Sequence, residues 1–126
     1  MPYAFQVSRI ARRVCIRAEG RVDLHATLEA GYRLAGDTRL GDGFHVLVDL
    51  RGSSWKPSSD EALDLATAVA QIPRHEGRIA LLVGTPALEG ARTFCELAEV
   101  YGLHVQPFDR TREAHRWLSI HPRRVS

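Results

Sequence analysis

The sequence has only two cysteines in 126 residues and no long apolar run. Cys15 and Cys95 lie far apart and in no recognisable motif, which is typical of a protein in a reducing compartment rather than of a disulfide-stapled secreted one. The N-terminal residues lack a charged region followed by an apolar stretch, so no secretory signal is indicated. No segment approaches the ~18 consecutive apolar residues of a membrane span. We therefore expect a cytoplasmic protein without a membrane span.

An excess of charge of one sign is also missing. The chain carries 17 basic and 15 acidic residues, a net charge of +2, and Lys56 is its one lysine. This near balance does not indicate a nucleic-acid partner, which needs a strongly basic surface. Arginines gather near both ends of the chain, but the aromatic side chains that stack on bases are not interleaved with them. We expect a solvated surface there and no nucleic-acid partner.

The motifs that bring chemistry to an active site are absent as well. The six histidines form neither an HxH nor an HExxH spacing, so no metal site is predicted. No GxGxxG follows a strand, and GxxxxGK[ST] and GxSxG do not occur. Cys95 lies at an apolar helical position, and Cys15 lies on the polar side of a strand with no identifiable base beside it. We expect no catalytic residue, no metal and no cofactor.

What is present is the pattern of one small α/β domain. A length of 126 residues, 44% of them hydrophobic, predicts a single domain over residues 1–126. Alternating or apolar runs predict strands at 3–9, 13–20, 44–50, 78–84 and 103–108. Helical spacing predicts four helices, which begin at Asp23, at Ser58, at Thr85, and at Asp109 or Thr111. The short first link predicts an antiparallel hairpin, and the later alternation of strands and helices predicts parallel pairing. The expected fold is therefore a mixed sheet of about five strands with four helices.

Two helix starts carry specific signals. Ser58 is followed three residues later by Glu61, which predicts a capping box in which each side chain bonds a backbone N–H at the other position. The apolar stripe of this helix is expected to run to Ile72, with Pro73 at its end. Thr85 and Pro86 predict an N-cap followed by a proline at the first helical position.

Several segments together carry a resemblance to a known family. They are 44–52, 78–83, 89–94, Phe108 and 113–118. Their order and spacing resemble the SpoIIAA-like (STAS-like) proteins, and the resemblance covers nearly the whole chain. It implies a mixed sheet with helices packed mainly on one face, and a topology similar to that of CRAL-TRIO lipid-binding domains. STAS relatives act as anti-sigma-factor antagonists, as modules of larger sensors or as tails of anion transporters, so the resemblance implies binding or regulation.

In phosphorylated STAS relatives, a serine at the start of the helix after the central strand is the switch. Ser58 and Ser59 occupy that place, where a phosphate would face free N–H groups and the positive end of the helix dipole. The relatives' order of an aspartate, then serines, then a glycine is not matched, because Asp60 follows the serines here. A plain helix cap is therefore the favoured interpretation, and phosphorylation is the alternative.

Four further residues near the end of the central strand are candidates for binding. Asp49 stands where open α/β sheets place ligand chemistry, and the favoured alternative is an acid that accepts N–H bonds from the next loop. Arg51 and Lys56 could hold an anion at the following helix start. Trp55 is either an exposed contact residue or a side chain that folds back to close the core.

We take a non-enzymatic module that works through protein–protein contact as the leading hypothesis. Its contact surface is expected at residues 51–60 and 85–89, because the starts of two helices converge there. Thr85 and Glu89 belong to this surface. The alternative is a small carrier of an apolar or anionic, lipid-like ligand, which needs a cavity between sheet and helices. A homodimer would use the polar face of the hairpin or an exposed edge strand.

Overall fold

The computed structural model describes residues 3–8, 10–36, 44–71 and 77–120. The strands are β1 (Tyr3–Ser8), β2 (Arg13–Gly20), β3 (His45–Ser53), β4 (Ile79–Leu82) and β5 (Val105–Phe108). The helices are α1 (Leu24–Ala35), α2 (Ser59–Val69), α3 (Leu88–Val100) and α4 (Thr111–Ser119). Arg9, Ile72 and Pro73, which the sequence placed at the ends of a strand and a helix, lie outside the described residues.

The five strands form one sheet in the order β1-β2-β3-β4-β5. β1 and β2 are antiparallel, and the remaining neighbours are parallel. The predicted mixed sheet with four helices and a central third strand is thus confirmed. β3 continues three residues beyond its predicted end, because its pairing with β2 resumes after an irregularity and runs on to Gly20 opposite Ser53. No apolar residue in 51–53 signals this extension, since backbone pairing alone carries it.

The helices cover the two faces of the sheet unequally. Leu50 on β3 packs in one cluster with Leu65 of α2 and Phe94 of α3. Leu47, whose side chain points to the opposite face, packs with Leu118 of α4. α1 adjoins α2, so three helices lie on one face and α4 lies on the other. The unequal layers follow from the chain order, since right-handed crossovers between successive parallel strands place their helices on the same face.

α1 is the least buried helix. Asp23 caps it as predicted, by accepting a bond of 2.8 Å from the N–H of Ala26, but no residue of α1 is fully buried. Its attachment to the sheet includes a 3.1 Å contact between the Tyr3 and Thr27 hydroxyls and Arg33 above the ring of Phe5. Within the described ranges no helix is long and apolar enough to cross a membrane.

The start of α3 differs from its prediction. Thr85 is not an N-cap, because a 3-10 turn at Thr85–Ala87 precedes the helix and Gly84 takes the cap position before that turn. Gly84 has extended backbone there, and glycine is accepted at an N-cap without a side-chain bond. α3 itself begins at Leu88, again without a side-chain cap. α4 begins at Thr111, one of its two predicted starts.

Candidate functional site

A close backbone contact joins the starts of α2 and α3. Pro57 lies directly before the α2 cap, and Gly90 lies in the first turn of α3. A Cβ atom added to Gly90 would lie 2.5 Å from the carbonyl oxygen of Pro57 and 3.3 Å from its ring. A contact this short leaves no room for a side chain, so glycine is required for the two helix starts to meet. The convergence expected between residues 51–60 and 85–89 has this physical basis.

The Ser58 hydroxyl is engaged in the predicted capping box. It accepts a bond of 3.2 Å from the N–H of Glu61, and the Glu61 carboxylate accepts one of 3.2 Å from the N–H of Ser58. Both bonds satisfy N–H groups that have no partner inside the helix. Ser59, the next residue, is exposed in the first turn. The two candidate serines therefore differ in role, since Ser58 is part of the helix cap and Ser59 faces the solvent.

Replacing Ser58 with alanine is expected to lower the free energy of unfolding by about 1 kcal/mol, because one N–H at the start of α2 loses its acceptor. Urea denaturation followed by circular dichroism measures this change. Ser59→Ala is the matched control and should stay within ~0.5 kcal/mol of the natural chain. Equal losses for the two variants would refute the capping role of Ser58.

Trp55 folds back onto the core. Its ring meets that of Phe94 edge-on at a centroid distance of 5.9 Å, and the side chain is half-buried against the cluster beneath α2 and α3. The Ser53 hydroxyl shapes the loop by donating to the carbonyl of Leu50 at 2.6 Å and accepting from the Trp55 N–H at 3.2 Å. Of the two alternatives for Trp55, the structure has the one that closes the core.

Asp49 and Arg51 form a separate unit on the α4 side of the sheet. The Arg51 side chain donates to both carboxylate oxygens of Asp49, at 3.0 and 2.9 Å, and its backbone N–H donates to the same group at 3.1 Å. These hydrogen bonds hold the pKa of the Asp49 carboxyl below its usual range. Arg51 also donates to the Thr111 hydroxyl at 3.2 Å, which ties the end of β3 to the start of α4.

The candidate residues therefore separate into two groups. Asp49 and Arg51 face α4, because side chains alternate along β3, whereas the α2 and α3 starts lie on the other face. We call five exposed residues around these helix starts, none of them a member of the Ser58–Glu61 capping box, the rim. They are Lys56, Ser59, Asp60, Thr85 and Glu89.

A third cluster, on the α4 side, has no signal in the sequence. Arg13 of β2 donates from Nη1 to Nδ1 of His115 at 2.8 Å and from Nη2 to the Ser119 hydroxyl at 3.1 Å. Its Nε is buried and has no hydrogen-bond partner in the part of the chain that the structure describes. Burial, and then the charge of Arg13, lower the pKa of His115. The imidazole is therefore held neutral, with Nδ1 as an acceptor.

This lowered pKa predicts a loss of stability in mild acid. As the pH is lowered through about 6.5, the unfolded chain binds a proton at His115 before the folded protein does. The free energy of unfolding therefore decreases as the pH is lowered, and it levels off below the pKa of His115 in the folded protein. Urea denaturation at several pH values between about 7 and 5 measures the slope. His115→Gln should flatten it. An unaltered slope in His115→Gln would refute the prediction.

The two cysteines lie in different surroundings. Cys95 is buried beneath α3 as predicted, and burial raises its pKa to about 12. Cys15 is half-buried on the α4 side, and burial raises its pKa as well. Both thiols are therefore kept protonated near neutral pH, and a protonated thiol is a weak nucleophile. Over the described ranges, no three His, Cys, Asp or Glu side chains are placed to hold a metal ion.

Comparisons with known proteins identify the fold. No protein-family model matches the sequence, and no curated protein matches it. The chain is similar in structure to an uncharacterised DUF3478-family protein with a SpoIIAA-like fold from Shewanella loihica PV-4. The similarity has a TM-score of 0.53 at 17% sequence identity, and it covers 92% of this chain and 91% of the other. The protein therefore has a SpoIIAA-like fold, as the sequence resemblance implied.

Proposed function

We propose that the protein is a non-enzymatic binding or regulatory module that acts through protein–protein contact at the rim. The observation that supports this most is the contact of Pro57 with Gly90, which holds two helix starts side by side. Exposed side chains from both elements then form one rigid surface. A surface that is already ordered loses little conformational entropy on binding, which favours affinity.

The polar groups of β3 and of the α2 cap also favour binding over catalysis. The Asp49 carboxylate is paired with Arg51 and its pKa is lowered, whereas a general acid at neutral pH needs a raised pKa. The Ser58 hydroxyl accepts a backbone bond in the α2 cap. A nucleophilic serine instead needs a base within hydrogen-bond reach. These groups stabilise the fold, and the exposed rim is left to make contacts.

Affinity capture from the protein's own host, with quantitative mass spectrometry, tests the proposal. The double variant S59R/T85R adds bulk and charge to the rim, while Gln6→Arg makes the same kind of change at an exposed position of β1. At least one captured protein should be lost with S59R/T85R and kept with Gln6→Arg. Circular dichroism confirms that both variants fold. If every captured protein survives the rim variant, the rim is not the contact surface.

The alternative function, a carrier of an apolar or anionic ligand, is favoured by the incomplete packing of α1 on the sheet. No α1 residue is fully buried, and Tyr3, Phe5 and Val7 beneath it are only partly covered. The partly covered apolar side chains of α1 and β1 could hold an apolar ligand between them. Native mass spectrometry of protein purified from its own host tests this. Extra mass lost on mild activation supports a carrier, and a clean mass contradicts it.

The same spectrum tests two further proposals. A covalent mass increase equal to one phosphate, mapped to Ser58 or Ser59, would support the switch seen in STAS relatives. A mass of twice the chain would support a homodimer. The free edge of β1 is a suitable place for such a pair, because this strand has no proline, whereas the opposite edge strand, β5, contains Pro107.

A further inference from the structure

The charges of the protein are distributed unevenly between its layers. α2 and α3 together contain six acidic residues and one arginine, a net charge of −5, in a chain whose net charge is +2. The rest of the chain therefore carries +7. A near-neutral total thus conceals an acidic helical layer on one side. A surface of this kind attracts positive partners and repels negative ones.

Large apolar side chains are exposed within this acidic layer. Leu63 of α2 is 46% exposed, Tyr101 at the end of α3 is 45% exposed, and Val100 beside it is more exposed still. Leu63 and Thr67 are four residues apart on the same side of α2. The Thr67 hydroxyl lies 3.5 Å from the Tyr101 hydroxyl. Leu63, Thr67 and Tyr101 therefore form one continuous strip that crosses from α2 to α3.

Acidic side chains border this strip on both helices. Asp60, Leu63, Asp64 and Thr67 share one exposed side of α2, at the spacing of successive helical turns. On α3, Glu96 lies one turn before Val100 and Glu99 lies beside it, and both are exposed. We call this surface the acidic face. It combines apolar contact area at its centre with carboxylates around it, the arrangement of a core and polar rim in a protein interface.

The negative charge of the acidic face limits the kinds of molecule that can bind there. Two copies that paired through it would bring carboxylates against carboxylates, which is unfavourable. Nucleic acids and anionic lipid surfaces are excluded for the same reason. A protein segment with lysines or arginines beside apolar anchors fits both features of the surface. A surface formed by two adjacent helices suits an amphipathic helix, whose apolar side would pack on the exposed strip.

We propose that the acidic face docks a basic, amphipathic helical segment of a partner protein, with Leu63 and Tyr101 as its apolar contacts. This inference rests on the proposed function, because it names the class of protein that such a module binds. It places the docking surface on the outer side of α2 and α3, next to the rim.

A peptide titration tests this inference. The probe is a synthetic amphipathic peptide of leucine and lysine at helical spacing, added to 15N-labelled protein in a series of NMR spectra. Saturable shifts should appear in α2 and α3 and weaken with added salt. L63S/Y101S should raise the Kd about tenfold. The matched control is L24S/Y32S on α1, whose side chains are 44% and 52% exposed; it should leave the Kd unchanged. A leucine–glutamate peptide of the same pattern should not bind.

Besides a failure of the peptide to bind, three results would overturn the inference. The first two are shifts that map to the α4 face and an unchanged Kd in L63S/Y101S. The third is salt-sensitive self-association that L63S/Y101S abolishes, because a second copy would then be the occupant. Sedimentation velocity of the protein alone detects the last of these. If the peptide fails while a partner is still captured through the rim, only this inference fails. If both experiments fail, the proposed function fails with it.

Discussion

Leu118→Ala is expected to lower the free energy of unfolding by about 3 kcal/mol and to loosen α4 from the sheet. Leu118 is 2% exposed, and it packs with Leu47, Ala80 and Leu82 on the face that α4 covers. Ala114 is the other buried residue of this nine-residue helix. Because Ala114 is small and Trp117 is only partly buried, Leu118 is the one large side chain of α4 that is fully buried. Its removal leaves a cavity that a short helix cannot close without moving.

Urea denaturation and tryptophan fluorescence measure this effect. Trp117 contacts the ring of Phe108 at 5.7 Å, so loosening of α4 should change its emission before the sheet unfolds. Ile120→Ala is the control, because Ile120 lies just after the same helix and is 51% exposed. We expect this control to stay within ~0.5 kcal/mol of the natural chain. A comparable loss in both variants would show that Leu118 does not anchor α4.

Gly90→Ala is expected to lower the free energy of unfolding by about 2 kcal/mol. This loss of stability is the opposite of the usual effect, since replacing a helical glycine with alanine normally stabilises a helix by up to ~1 kcal/mol. The new Cβ would lie 2.5 Å from the Pro57 carbonyl oxygen, and a backbone atom cannot turn aside as a side chain can. Either α3 or the loop before α2 must shift, so the rim should be disturbed as well.

Thermal and urea denaturation of Gly90→Ala measure the loss in the free energy of unfolding. Gly36→Ala is the matched control at the end of α1, where φ is −88° and the nearest atom to a new Cβ, the Tyr32 carbonyl oxygen, would lie 3.5 Å away. We expect Gly36→Ala to change stability by less than ~0.5 kcal/mol. Capture experiments with Gly90→Ala should lose the same partner as S59R/T85R. A stabilised Gly90→Ala protein would contradict the close contact.

Local patterns predicted most of the fold. The order of elements, the hairpin and the central position of β3 followed from apolar periodicity and turn residues, which act within a few positions of one another. The Ser58 capping box was predicted in full because its two members are three residues apart. The predicted start of α3 was wrong, because Gly84 caps the preceding turn and has no side chain that a sequence pattern could reveal.

The geometry of the candidate site has little local signal. Its place at the carboxyl ends of the strands is a prediction from the fold class, and Ser59, Thr85 and Glu89 are predictions from the helix starts. The pairing of Asp49 with Arg51, and their separation from the rim, depended on which side of β3 each side chain takes. The short distance from Pro57 to Gly90 depended on how two helices pack. Neither feature has a local signature.

The features that the sequence could not supply are contacts between distant segments. Arg13 meets His115 across 102 positions, and Thr67 meets Tyr101 across 34. Composition showed a net charge near zero, yet the fold places an acidic layer on one side of the protein. Periodicity and capping act between near neighbours, so the sequence was sufficient for the elements and their order. The Arg13–His115 contact, the Gly90 contact and the acidic face arise only when strand register and helix packing bring remote residues together.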